Sequence, residues 1–382
     1  MAELCAGSVF DLSHSIVFTA PGQTVQTQGL PTGSAQALLR VTGDLATAIR
    51  GGDQSNATVQ NIRVDGRRSE LGRVPNGEAL LEMGGRSEGQ VVQNTTLSDP
   101  RGWSALHMTE GGVTNNIPTC QNSKILNNTI GPSGEDNGAW ADGISLACGN
   151  SEVSGNTVTD ATDGGIVIFG APGSQVRNNT ITARTRVLLG GINMVDFKPV
   201  NGNYAGTVVS GNTVDAAGSF IKIAMAMGTM PWGCGSSEVN YGATVMDNTL
   251  TGAHMGYGFV ASGVRDWTVT GNADRSTHVG YPRRQLLGHP GLAAEGLPVG
   301  ERRREQFAAV RLRPRPAPDE PAQHRREPRD RQPRRQQRHV RHGGERGLRA
   351  ARRQPDACRE LGEVRHHPTE RRSGPVACQG EQ

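Results

Sequence analysis

The sequence predicts an all-β fold, a right-handed parallel β-helix solenoid of about nine coils followed by an Arg-rich tail. Three observations carry this expectation. A short Asn-Thr-apolar motif returns throughout residues 1–275, and a second family of alternating runs lies between its copies. No stretch of that region sustains the 3.6-residue apolar period of an amphipathic helix.

The motif appears as QNTTL at Asn94, NNTI at Asn128, GNTV at Asn156, NNTI at Asn179, GNTV at Asn212 and DNTL at Asn248, and decays to GNAD at Asn272. Successive Asn stand 34, 28, 23, 33, 36 and 24 residues apart. Recurrence at 20–50 residues marks a solenoid or propeller. Each copy follows a short alternating run such as SKIL, SEVS or SQVR. Asn suits the tight corner because it tolerates the left-handed backbone, and stacked Asn amides can hydrogen-bond as a ladder.

The second family reads ALLRV, ALLEM, SALHM, DGISL, GGIVI, GGINM, SFIKI and YGFVA. Aligned, it gives an interior column of Leu39, Leu81, Leu106, Ile144, Ile166, Ile192, Ile221 and Phe259, with an outward column of Arg40, Glu82, His107, Ser145, Val167, Asn193, Lys222 and Val260. Strand alternation sends those intervening side chains to solvent, and parallel stacking spaces them by about 4.8 Å. Two or three short strands per coil, with about 22 residues in the tightest coil, fit a β-helix better than antiparallel propeller blades.

Charge divides the chain. Residues 1–280 hold 16 Lys+Arg against 23 Asp+Glu, a net of −7, while residues 281–382 hold 24 Arg and no Lys against 13 acids, a net of +11. The expected division is a β-helix over 1–278 and a disordered basic tail over 279–382. From Tyr281 onward Asn, Lys, Ile and Met are absent, and the few apolar residues cannot bury a core. That composition is what a GC-rich gene yields out of frame; a natural disordered tail and a polybasic arm are the alternatives. Aromatics for base stacking are nearly missing there, so no nucleic-acid partner is expected. No run of 18 apolar residues occurs, so no transmembrane helix and no membrane partner are expected. The opening MAELCAGSVFDL lacks the layout of a signal peptide.

Coils of the type ADGISLACGNSEVSGNTVTDATDGGIVIFGAPGSQVRNNTI resemble the pectin-lyase-like superfamily of right-handed β-helix proteins, over residues 5–275. The resemblance implies the architecture and a carbohydrate-active or glycan-binding role. It does not assign an activity, because lyases, hydrolases, epimerases, tailspikes and adhesins share the fold. The NTD, DD, GHG and RIK set of polygalacturonases and the WiDH pattern of pectate lyases are not present.

Candidate catalytic residues are His107, Lys222, Asp142 and Asp163. His107 is one of four His before residue 281 and can move protons near neutral pH. Lys222 is one of three Lys and could act as a base if desolvated, or neutralise a substrate carboxylate. Asp142 and Asp163 precede the same strand in consecutive coils, offset by one residue; paired carboxyls near a sugar can serve as acid and base or as nucleophile. The bland alternative for them is an Asx turn at a coil corner. Glu82, Glu110, Asn193 and Asp196 are candidates for substrate binding, as are Trp103, Trp140 and Trp232 in insertions near 98–118, 131–141 and 225–241. Tyr204 and Tyr241 also fall in insertions, which in a solenoid often build the binding wall.

Ca²⁺ held by these carboxylates is the one cofactor the pattern allows, as in related lyases. No CxxC occurs, so a zinc site is not expected. A Cys120–Cys148 disulfide fits a secreted protein, as do sequons at Asn56, Asn94, Asn127 and Asn178. The functional reading is therefore a secreted monomer acting on a uronate-containing polysaccharide by β-elimination or hydrolysis; the alternative is a non-catalytic glycan-binding or cell-wall module.

If the tail is an out-of-frame product, reading the DNA around codon 281 with a one-base shift should restore alternating strands and Asn-containing corners. The chain as given would then end on an uncapped coil and should aggregate on heating. A cooperatively melting monomer, observed by light scattering and calorimetry, is the contrary outcome.

Overall fold

The computed structural model describes residues 1–232 and 237–280. The basic tail with Cys358 and Cys378, and Cys234, lie outside the described residues. Three parallel sheets, two of ten strands and one of nine, run the length of the solenoid. In each, a strand pairs with its counterparts one coil before and one coil after. Each coil therefore contributes three strands, and the parallel β-helix expected from the repeat is the observed fold.

The core is built from single-residue columns. In the first sheet Val59, Val92, Ile125, Val153, Val176, Val209 and Val245 stack in register, all fully buried. The second sheet stacks Val64, Leu97, Ile130, Val158, Ile181, Val214 and Leu250 in the same way. β-branched side chains fit a pleated, buried surface, which explains why so few residue types suffice.

The corner between these two sheets carries the amide ladder. Nδ2 of Asn128, Asn156, Asn179, Asn212 and Asn248 each donates to Oδ1 of the next, ending on Asn272, at 2.9 Å throughout. The second hydrogen of each Nδ2 goes to a carbonyl one coil back, as from Asn179 to Val153. Each backbone N–H also donates to the next Oδ1. Two details differ from the sequence reading. The left-handed residue is not the ladder Asn but the one before it: Asn127, Gly155, Asn178, Gly211, Asp247 and Gly271 all have positive φ. Asn94 is such a corner residue, and Thr95 occupies the ladder position, its hydroxyl donating to Asn128 Oδ1 at 2.8 Å. In QNTTL a hydroxyl replaces the amide, which shifts the apparent motif by one residue.

The third sheet gathers the chemistry. Its strands lengthen from Ile16–Val17 and Ile49–Arg50 to Ser104–Thr109, Asp142–Leu146, Gly164–Ile168, Leu188–Met194, Ile221–Met227 and Met255–Ala261. Its register keeps Glu82, His107, Ser145, Val167 and Asn193 in one column. Two expected members are displaced. Arg40 lies in the second sheet, paired with Asp11, and Arg50 takes its place beside Glu82. Ala226, not Lys222, aligns with Asn193. Strand 221–227 alternates over seven residues, so a shift of four leaves the apolar pattern intact and the sequence could not choose between registers.

Alternation also breaks within this sheet. A Cβ on Gly143, Gly165 or Gly191 would press into Val158, Ile181 or Val214 of the core. The following residues Ile144, Ile166 and Ile192 are core as well. Two consecutive inward residues break the alternation, and the break repeats coil after coil where glycine sits, while the strands still pair one residue to one.

Asn179→Ala should destabilise the chain by about 3 kcal/mol or more, because it orphans an N–H, an amide and a carbonyl that are all buried. Asn272→Ala, at the half-exposed end of the ladder, should cost about 1 kcal/mol. Urea unfolding of both variants checks the difference.

Candidate functional site

This break in alternation decides which side chains meet. Under strict alternation residues i and i+3 face opposite sides of a strand. With the break at Gly143, Ser145 Oγ reaches Asp142 Oδ2 at 2.8 Å, and the Gly164 N–H of the next coil donates to Asp142 Oδ1 at 2.8 Å. Ser104 Oγ lies 2.9 Å from Ser145 Oγ. Asp142 is thus held within a strand by the neighbouring coil, not in an Asx turn of its own corner.

Three carboxyls converge on this part of the outer face. Burial, then the charges of Asp163 and Asp196, raise the Asp142 carboxyl well above its ordinary 3.8. Burial pushes Asp163 up to about 6. Burial and the charge of Asp163 push Asp196 up to about 7. Asp163 and Asp196 are partly exposed, whereas Asp142 is buried. Among the described residues no group of three or more metal-ligating side chains is arranged to hold a cation. The Ca²⁺ allowed by the sequence thus finds no preformed cage there.

One rung away, His107 Nδ1 and Glu82 Oε1 are 2.7 Å apart. The Trp103 ring meets the imidazole edge-on, with centroids 4.7 Å apart, and Phe169 flanks it at 6.4 Å. Glu82 also accepts from the Ala79 N–H. The carboxylate and the aromatic edges hold the ring in one orientation.

The Asn193 carboxamide folds over Gly190 and beside Gly164. A Cβ on Gly164 would stand 3.0 Å from Asp142 Oδ1 and 3.2 Å from Asn193 Nδ2. Asn193 is 5% exposed, and its Oδ1 is buried without a hydrogen-bond partner. A polar atom in that state costs about 1–3 kcal/mol.

The remaining candidates are spread more widely. Lys222 lies under the Trp232 ring, 5.1 Å from its centroid, and burial lowers its ammonium below its ordinary value. Trp140 is 40% exposed in the loop leading into Asp142. Arg68 braces that loop through Glu135 at 2.8 Å, and Arg186 through the Gly134 carbonyl. Glu110 sits beyond the far end of strand 104–109, its carbonyl accepting from the Cys120 N–H. Tyr204 was expected in a binding wall but is fully buried, with its hydroxyl donating to Ile168 O at 2.6 Å. Tyr241 instead stacks on the Arg265 guanidinium. Cys120 and Cys148 form the anticipated disulfide.

Sequence reasoning missed Ser104, Phe169 and the break in alternation. The glycine doublets at 164–165 and 190–191 were the available signal, since glycine inside a strand marks a bulge or a close approach.

No protein family and no curated protein sequence matches the chain. Among solved structures, a catalytic domain of GH87 alpha-1,3-glucanase in complex with tetrasaccharides is similar, with TM-score 0.46 and 11% identity, covering 71% of this chain and 53% of that one. The chain therefore spans about half the length of that domain. An alginate lyase from Paenibacillus sp. str. FPU-7 gives TM-score 0.40 and 13% identity over 69% of this chain and 91% of that one. The A-module of a mannuronan C-5 epimerase from Azotobacter vinelandii gives 0.32 and 15% over 71% and 90%.

The raised carboxyls make stability depend on pH. Unfolded, Asp163 and Asp196 release their protons near pH 4; folded, they hold them to about 6 and 7. Between those limits the unfolded chain binds fewer protons, so this contribution is full below about pH 4 and is lost as pH rises through 6 to 7. Asp196→Asn should therefore raise Tm at about pH 7.5 and leave it unchanged at about pH 4. Parallel Tm-versus-pH curves for variant and parent would contradict the assigned burial.

Proposed function

We propose that the chain hydrolyses a glycan lying along the outer face of the third sheet, with Asp142 as the general acid. The observation that carries this reading is the group of three carboxyls, Asp142, Asp163 and Asp196, whose proton affinities are raised by burial and by one another. Sites that separate acid from base by environment do so with such groups. Asp142 holds its proton for a leaving-group oxygen. Asp163, whose carboxylate takes no hydrogen bond or ion pair among the described residues, and Asp196 are the candidate bases for an attacking water. The ordered His107–Glu82 pair and the Trp103 and Trp140 rings border the same face and supply contact for a sugar ring.

A lyase would use Lys222 or His107 as its base; Lys222 is four residues out of the His107–Asn193 column and packed against Trp232, and His107 is engaged by Glu82, so the carboxyls favour hydrolysis over β-elimination. A net charge of −7 over residues 1–280 and a cluster of acids favour a neutral glycan over a uronate polymer. The reading places the protein outside the cell, where such polymers are found.

Incubation with a panel of neutral and uronate polysaccharides should release reducing ends without unsaturated-uronate absorbance. Asp142→Asn should lower the rate by about 100-fold or more with Tm held within a few degrees. Unsaturated products would overturn hydrolysis, and glycan binding without turnover would favour the non-catalytic module.

A further inference from the structure

Among the described residues the Asn193 carboxamide is a buried polar group beside the acids that the fold does not use. It is nine-tenths buried, its Oδ1 has no partner, and its amide takes no hydrogen bond among the described residues. Its counterparts in the corner ladder, Asn128 to Asn248, satisfy every donor and acceptor. At rest the group lies flat on the bare backbone of Gly190 and Gly164. A Cβ on Gly190 would collide with it, at 2.1 Å from Oδ1, so glycine is what lets it fold there. The amide nitrogen and Asp142 Oδ1 both border the outward position at Gly164, which the Val167 side chain covers with its Cγ2 2.2 Å from that point. Turning about χ1 and χ2 breaks no hydrogen bond, because none is made.

Resting on the hydrolase reading, we infer that Asn193 is a specificity residue that turns from its glycine bed to grip a free hydroxyl of the sugar presented to Asp142. A carboxamide offers one acceptor and two donors, and a sugar hydroxyl offers both in return. A sugar whose hydroxyl at that position is missing or blocked leaves the amide buried and unpaired, which is the strongest way a site can reject a near-analogue. The ligand class is thus a neutral glycan carrying a free hydroxyl next to the bond cleaved, and the selection is made by one side chain.

The test uses the full chain and glucose tetrasaccharides of α-1,3, α-1,4, β-1,3 and β-1,4 linkage, with binding followed by calorimetry. Asn193→Leu, close in volume, should leave Tm unchanged or raised, because it replaces an unpaired buried amide with an apolar group. The same variant should weaken binding of whichever tetrasaccharide the parent prefers by about tenfold or more. Asn193→Ala provides the same affinity readout if the leucine variant folds poorly. A Tm several degrees lower in both variants would show the carboxamide to be structural and overturn the inference. Unchanged affinity would overturn it while leaving the hydrolase reading intact. A parent chain that binds none of the four would overturn both.

Discussion

Everything on the outer face depends on coils stacking in fixed register, and the buried amide ladder at the corner of the first two sheets is what holds that register. A strand can slip along its neighbour by two residues at small cost to its apolar pattern. An Asn amide cannot: its two hydrogens and its oxygen find partners only when the next Asn stands directly above. From Asn128 to Asn272 the bonds repeat at 2.9 Å although the coils differ in length from 23 to 36 residues. Insertions are absorbed elsewhere in each coil, and the third sheet can vary its strands while the frame beneath keeps its spacing.

On that frame the break in alternation at the glycines does the positioning. By turning two successive residues inward it brings Asp142 and Ser145 to one side, and it leaves bare backbone for a neighbouring coil to donate into Asp142. The result is unfavourable for the fold taken alone: three desolvated carboxyls act on one another, and an amide lies buried without a bond. Groups kept against their own solvation are commonly functional ones. The His107–Glu82 pair differs in kind, with its hydrogen bond made and its ring packed by Trp103 and Phe169.

The choice between hydrolysis and elimination turns on where the lone lysine of the face ended up. Had Lys222 stood above Asn193, a base and a row of acids would have shared one column, and a lyase would have been the more natural reading. Its actual place is shifted along the strand against Trp232, and on the proposed hydrolase reading the carboxyls are then the groups left to handle protons.

How much of this was legible in the letters follows from the physics of each feature. The solenoid, its coils of two or three short strands, most of the core column of the third sheet and the Cys120–Cys148 pairing were readable, because repeats, period-two alternation and corner Asn are local and recur. The column through Glu82, His107, Ser145 and Asn193 was readable for the same reason. Register inside a long alternating strand was not, since a shift of four leaves 221–227 looking the same. The approach of Asp163 to Asp142 was readable too, from their place before the same strand in consecutive coils, but the addition of Asp196 was not, nor was the idle amide of Asn193. Those depend on a break in alternation and on three dimensions of crowding, and desolvation is a property of surroundings that no single residue carries in its name.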